Sequence, residues 1–183
     1  MNMKVAGLFA MAVLSIALLF QINPDDVEES PRLVFPGLKE QLPALTGIEV
    51  TNPNGNSVSI VKQQDNWVLE GKSGYSVDFS KLSRFLVNVS ELRIAEEKTS
   101  ISTNHSRLGV AENDQGAGTR VIVSPGEYSL LVGKEAPSKG SFVRYAGDAQ
   151  VYLTNKPVAA SANWIEWIDP VVINIEPANV REV

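Results

Sequence analysis

The chain has 183 residues, a formal net charge of −5, no cysteine and one histidine. These facts exclude disulfide scaffolds, thiol catalysis, Cys-based zinc sites and lipid attachment through an N-terminal cysteine, and an acidic domain repels a phosphate backbone, so nucleic acid is not an expected partner. At 44% hydrophobic and 20% charged residues, the composition fits one folded domain with an appendage and argues against overall disorder.

The first predicted element is an apolar helix. Val5–Phe20 is a run of sixteen residues with no charge and one hydroxyl. As a helix it spans about 24 Å, slightly short of a hydrocarbon core of roughly 30 Å. Lys4 can snorkel outward on one side and Gln21–Asn23 can occupy the other interface. Val5, Leu8, Phe9, Val13, Leu14, Ile16, Leu18, Leu19 and Phe20 are the residues expected to form the anchor. A cleaved signal peptide needs small residues just after the run. Leu18-Leu19-Phe20-Gln21-Ile22-Asn23-Pro24 offers large ones, and Ala10-Met11-Ala12 lies too early, so residues 1–23 are expected to stay as an uncleaved anchor. Lys4 precedes the run, while Asp25, Asp26, Glu28 and Glu29 follow it. Positive residues stay on the cytoplasmic side. The expectation is a single-pass protein of a bacterial inner membrane with its C-terminal domain in the periplasm.

Residues 24–33, with two prolines and four acids and little to bury, read as a tether. A domain over 34–170 follows. Leu38, Leu42 and Leu45 suit a short helix interrupted by Pro43. Ile48–Thr51, Ser57–Lys62 and Trp67–Glu70 alternate as a three-stranded meander, with a type I′ turn expected at Asn54-Gly55 and a second turn at Asp65-Asn66. After Asp78, a good N-cap, Phe79, Leu82, Phe85, Leu86, Val89 and Leu92 fall three and four residues apart and predict an amphipathic helix. Leu92–Thr99 is expected to leave it extended. Ser100–Gly118 reads as a looser stretch. Strands are then expected at Thr119–Ser124, Glu127–Val132, Ser141–Tyr145 and Gln150–Thr154, with a longer loop at Gly133–Gly140. A short helix near Ala160–Ile168 carries Trp164 and Trp167 and stops at Asp169-Pro170, and Val171–Ile175 reads as a last strand. Strands, helix, strands, short helix and strand do not alternate regularly, so the expected class is α+β with a mainly antiparallel sheet.

No catalytic constellation stands out, and neither a cofactor nor a metal is expected. His105 sits in the polar stretch Ser102–Arg107 and reads as a solvated loop residue; its neighbour Ser106 is adjacent in sequence, which is not the geometry of a base and nucleophile. Gly116-Ala117-Gly118 and Gly133-Lys134 lack the spacing of a phosphate loop. The acid pairs Glu96-Glu97 and Asp25-Asp26 read as solvated, and no calcium loop is present. Trp67 and Trp164 read as core. Trp167 is expected at the rim as a contact for a partner, together with Arg144, which lies with Lys134 and Lys139 around the Gly133–Gly140 loop.

The order of motifs resembles a known family. Leu33-Val34-Phe35-Pro36-Gly37-Leu38 comes first, then Ile48-Glu49-Val50, Trp67-Val68-Leu69-Glu70 and Gly74-Tyr75-Ser76-Val77-Asp78. Arg107-Leu108-Gly109-Val110, Gly118-Thr119-Arg120-Val121, Leu131-Val132-Gly133-Lys134, Phe142-Val143-Arg144-Tyr145 and Gln150-Val151-Tyr152-Leu153 follow, with Trp164 and Trp167 after them. From Leu33 to Val183 this order is similar to the DUF4340 family, a bacterial domain of unknown function. The resemblance implies no catalytic residues. It implies a link to membrane transport, because some members are encoded beside ABC transporters associated with gliding motility.

Residues 171–183 echo the start of the first strand: Pro177-Ala178 leads to Glu182-Val183 as Pro43-Ala44 leads to Glu49-Val50. Longer members of the resembled family repeat such a lead-in. The segment is either the opening of a second unit or one edge strand of the single sheet, matched by chance. Two functions are carried forward. One is a non-catalytic, membrane-anchored periplasmic accessory protein that docks an envelope or transporter protein, with edge-strand addition as one mode. The other is a periplasmic domain that binds a ligand or processes envelope glycan or lipid, for which paired carboxylates in a cleft would be expected.

Overall fold

The computed structural model describes residues 32–168 apart from Asp114, Glu127 and Lys139. The expected anchor, most of the tether and the expected strand Val171–Ile175 lie outside the described residues. Among the described residues no helix is long and apolar enough to cross a membrane.

Eight strands form one sheet: β1 (Gly47–Thr51), β2 (Ser57–Gln63), β3 (Asn66–Leu69), β4 (Ile94–Thr99), β5 (Thr119–Ser124), β6 (Tyr128–Glu135), β7 (Ser141–Tyr145) and β8 (Val151–Thr154). Their order is β3-β2-β1-β5-β6-β7-β8-β4, and every pairing is antiparallel. The expected α+β class with a mainly antiparallel sheet is therefore what the chain adopts. β3 and β4 follow each other in sequence yet form opposite edges, so the connection between them must cross the whole sheet. The helix α2 (Phe79–Ser90) makes that crossing, after a first short helix α1 (Leu38–Gln41) that gives way to a 3-10 turn at Leu42–Ala44. Twelve helical residues rise about 18 Å, while eight strands span roughly 34 Å. The flanking segments 70–78 and 91–93 make up the difference.

The crossing creates the core. Leu82, Phe85, Leu86 and Val89 of α2 are buried on the face where Ile48, Val50, Ile60, Val121, Val123, Leu130, Val132 and Val143 project. β1, β2 and β5 alternate, as with exposed Glu49 between buried Ile48 and Val50. Phe35 adds rings to the same core, edge-on to Tyr128 at 5.2 Å and to Tyr145 at 6.1 Å. Asp78 caps α2 as expected, its Oδ1 accepting from the Ser80 amide at 2.9 Å and the Lys81 amide at 3.3 Å. Asp78→Ala removes both bonds, and the expected loss is about 1 kcal/mol; urea unfolding followed by tryptophan fluorescence measures it.

Several local expectations are corrected. The β1–β2 turn is not type I′, because Asn54 does not adopt positive φ; only Gly55 does, at 81°. Pro53 holds its φ near −65° at the first central position, which a type I′ turn forbids. Asn52 closes the loop instead, its Oδ1 accepting from the Asn54 and Asn56 amides, both at 3.0 Å. The β2–β3 turn falls at Gln64-Asp65, one residue early, with Gln64 at φ 55°. Phe79 begins the helix but is 62% exposed. Gly133 and Lys134 lie inside β6, not in a loop, because the strand runs on to Glu135. The second helix is a single 3-10 turn, Trp164–Trp167.

Neither sheet edge is long and flat. β4 carries Glu96, Glu97 and Lys98, and irregularities between Ile94 and Glu96 and between Glu97 and Thr99 interrupt its register with β8. β3 is continued by bridges from Val68 to Ser76 and from Val77 to Ile168. Charges, bulges and short extensions of this kind discourage edge-to-edge pairing.

Candidate functional site

Two features outside the core bear on function. The first is a polar cluster on the sheet face opposite α2. Leu130, Leu131 and Val132 are buried in succession, so β6 is covered on both sides. The second cover is the segment 102–118, with a 3-10 turn at Ser102–Asn104 and the short helix α3 (His105–Leu108). It approaches closely because Gly133 has no side chain: a Cβ there would lie 2.4 Å from the Leu108 carbonyl oxygen. Val110, Leu131 and Val151 are buried on this face.

Arg144 projects into the same space and is 4% exposed. Its Nε donates to the Val110 carbonyl at 2.9 Å, one Nη donates to the Asp148 carbonyl, and the other donates to Glu112 Oε1 at 3.2 Å. Glu112 also accepts from Arg120 and from the Gly147 amide, the latter at 2.9 Å. The guanidinium is a planar fork with five N–H groups, and here it joins the covering segment, β7 and the β7–β8 turn. His105 belongs to this seam. It was expected to be solvated, but it is 8% exposed and its Nε2 lies 2.9 Å from the Ala149 carbonyl oxygen. A carbonyl only accepts, so Nε2 carries the proton. Lys134 Nζ donates to the Arg107 carbonyl at 2.9 Å.

This cluster is a clamp. The Glu112 carboxyl is engaged by three donors and the Arg144 guanidinium by three acceptors. Partial burial, the largest influence, pushes the Glu112 carboxyl upward; the Gly147 amide, Arg120 and Arg144 pull it down, and the balance lies below its ordinary 4.5. A carboxyl with a lowered folded pKa stabilises the fold above its unfolded pKa and loses that contribution as pH falls through the folded one. Stability is therefore expected to drop on acidification below the ordinary carboxylate range, and Glu112→Gln to make that drop shallower. Urea midpoints measured across the range give both slopes.

The second feature is a cleft of about 330 Å³ between α2 and the segment 157–167. Phe85, Val89, Leu92, Val158 and Trp167 form its apolar floor, and Lys81, Arg84 and Asn88 stand on the helix side. Trp167 is not at the rim as expected. It is 5% exposed, its ring meets Phe85 edge-on at 5.3 Å, and its Nε1 donates to the Ser161 carbonyl at 2.8 Å. Trp164 is the half-buried ring, with Lys72 Nζ 5.3 Å from its centroid. Arg144 and Trp167, the two expected partner contacts, are thus both buried, on different faces. The cleft holds one carboxylate, Glu166. Among the described residues no group of three His, Asp or Glu side chains could hold a metal ion.

The sequence reading missed the clamp because Ser100–Gly118 has no hydrophobic period. The signal present was the uninterrupted Leu130-Leu131-Val132 run, which marks a strand buried on both faces. No curated protein and no solved structure matches the chain. The family model described as "Domain of unknown function (DUF4340)" matches residues 67–183. That span begins at Trp67, later than the resemblance read from Leu33 onward, and it covers more than half of the 183 residues, so the chain belongs to the DUF4340 family.

Proposed function

We propose that this chain is a membrane-anchored periplasmic accessory protein that docks another envelope protein, a transporter subunit being the partner class the family resemblance suggests, and that it performs no chemistry itself. The observation that carries the reading is the uncharged run Val5–Phe20, set between Lys4 and the acids Asp25, Asp26, Glu28 and Glu29. Exposed apolar side chains support docking: Phe79 at 62%, Ile165 at 56% and Val87 at 40%. Isolation of the full chain in mild detergent tests it. Recovery in stoichiometric complex with an integral membrane protein is the expected result. Recovery alone, from membranes and from the soluble fraction alike, contradicts it.

A ligand-binding role is the second reading. It is favoured by the cleft, whose volume is at the lower end of small-molecule sites at about 300 Å³. Glycan cleavage requires two carboxylates flanking the bond, and the described lining supplies only Glu166.

A further inference from the structure

The cleft has two unlike walls. On one side α2 presents Lys81 and Arg84, with Lys156 beyond them donating to Asn88 Oδ1 at 3.2 Å. Residues 81, 84 and 88 are each about one helical turn apart, a step of roughly 5–6 Å. The three cations therefore form a row along the wall. Lys81 is held by the Ile168 carbonyl and by Asp78. Arg84 meets only the Ser80 carbonyl of its own helix, at 3.4 Å, and no carboxylate among the described residues. This row stands out in a chain of net charge −5.

The other wall is an extended ribbon outside the sheet. Val158, Ala160 and Ala162 turn toward the core in alternation, a period of two. The main-chain N–H and C=O groups of Ala159, which lines the cleft, have no protein partner among the described residues, in contrast to Val158, whose amide donates to Ser141 Oγ at 3.0 Å. Ala159 is exposed, so an added strand can pair with these groups.

We infer that the cleft between α2 and residues 157–162 binds an extended segment of a partner protein in which apolar and acidic residues alternate. The segment pairs its main chain with that of Ala159, sets alternate apolar side chains onto Phe85, Val89 and Val158, and directs the intervening carboxylates to Lys81, Arg84 and Lys156. Alternate residues of a strand are roughly 6.8 Å apart, close to the step of the cation row. The single carboxylate of the lining, Glu166, comes from the 3-10 turn and not from the helix. This inference deepens the docking role proposed above by naming the chemistry of the docked segment, and it holds whether or not residues 1–23 remain attached.

The full chain in detergent is titrated with a labelled peptide of alternating valine and aspartate, Val-Asp-Val-Asp-Val-Asp-Val, and binding is read by fluorescence anisotropy. Saturable binding is expected, together with slowed amide exchange at Ala159. Arg84→Glu, an exposed helix-surface change, is expected to weaken binding about tenfold while leaving thermal unfolding in place. A peptide with lysine for aspartate, and one with its aspartates grouped at one end, are expected to bind at least about tenfold more weakly. No binding of the alternating peptide, equal binding of the lysine peptide, or an unaffected Arg84→Glu variant overturns the inference. So does self-association that Arg84→Glu abolishes and the peptide does not compete, which assigns the cleft to a second copy of the chain. None of these outcomes depends on the membrane run, so a failed peptide titration and a failed co-purification are separate results.

Discussion

Replacing Arg144 with alanine is expected to destabilise the domain by about 3 kcal/mol and to lower Tm by roughly 10 °C. Among the described residues the guanidinium is the one charged side chain that reaches into the reverse-face layer with its surface almost wholly buried, at 4% exposure. Its removal leaves the carbonyls of Val110 and Asp148 without their donors, and Glu112 keeps only Arg120 and the Gly147 amide. A buried acceptor left unpaired costs about 1–3 kcal/mol, which applies to Val110, since Asp148 lies in an exposed turn, and the cavity left by the stem adds to the loss. Arg144→Lys is expected to recover little, because an ammonium is a compact point charge and cannot serve three acceptors set around a planar fork. Urea unfolding read by tryptophan fluorescence gives the difference. A loss below about 1 kcal/mol would mean that the clamp adds nothing beyond an ordinary hydrogen bond.

Gly133→Ala is expected to cost about 3 kcal/mol, at the upper end of the usual range for overpacking. The added methyl would lie 2.4 Å from the Leu108 carbonyl oxygen, 2.7 Å from Val110 Cγ1 and 2.8 Å from the Gly109 carbonyl oxygen. Two of these are backbone atoms, which cannot rotate away. Relief requires lifting the segment 102–118 off β6, which uncovers Leu131 and Val110. The effect should be local: amide exchange is expected to accelerate at Gly109 and Val110 while α2 keeps its protection. Gly55→Ala provides the comparison. Nothing lies within 4 Å of a Cβ there, and its φ of 81° leaves only the left-handed backbone penalty, about 1 kcal/mol. Equal losses at the two sites would place the cost in the backbone and not in the close approach.

These two residues also mark where sequence reasoning stops. α2 was legible because Asp78 and the spacing of Leu82, Phe85, Leu86 and Val89 state the same element twice, by cap and by period. β5 and β7 were legible because alternation and turn residues bound them. Gly133-Lys134 looked like a loop because glycine punctuates chains, yet here it lets two layers touch, the other reason for glycine in a strand. Arg144 looked like a surface cation because arginine usually is one. Its burial depends on which face of β7 the segment 102–118 covers, a contact across more than thirty residues of sequence with no periodic trace. His105 was misread for the same reason. The pair Trp164 and Trp167 exchanged roles because one 3-10 turn, not an α-helix, sets their relative directions, so Trp167 turns inward onto Phe85. In the hairpin at Asn54-Gly55, Pro53 carried the contrary signal.

The cleft and the clamp divide the molecule in a way that suits an adaptor. The clamp and the core fix the sheet, while Arg84 and Ala159 stand exposed at the cleft. Placing that surface outside the cytoplasm depends on Val5–Phe20. The most direct test is the intact mass of the protein recovered from membranes of its own cells after a carbonate wash, combined with protease treatment of cells whose outer envelope has been opened. A detergent-extractable species that retains residues 1–23 and whose domain is cut by the protease is the predicted result. A soluble species lacking its first twenty-odd residues, or a domain shielded from protease until the inner membrane is broken, would contradict the anchored, outward-facing adaptor.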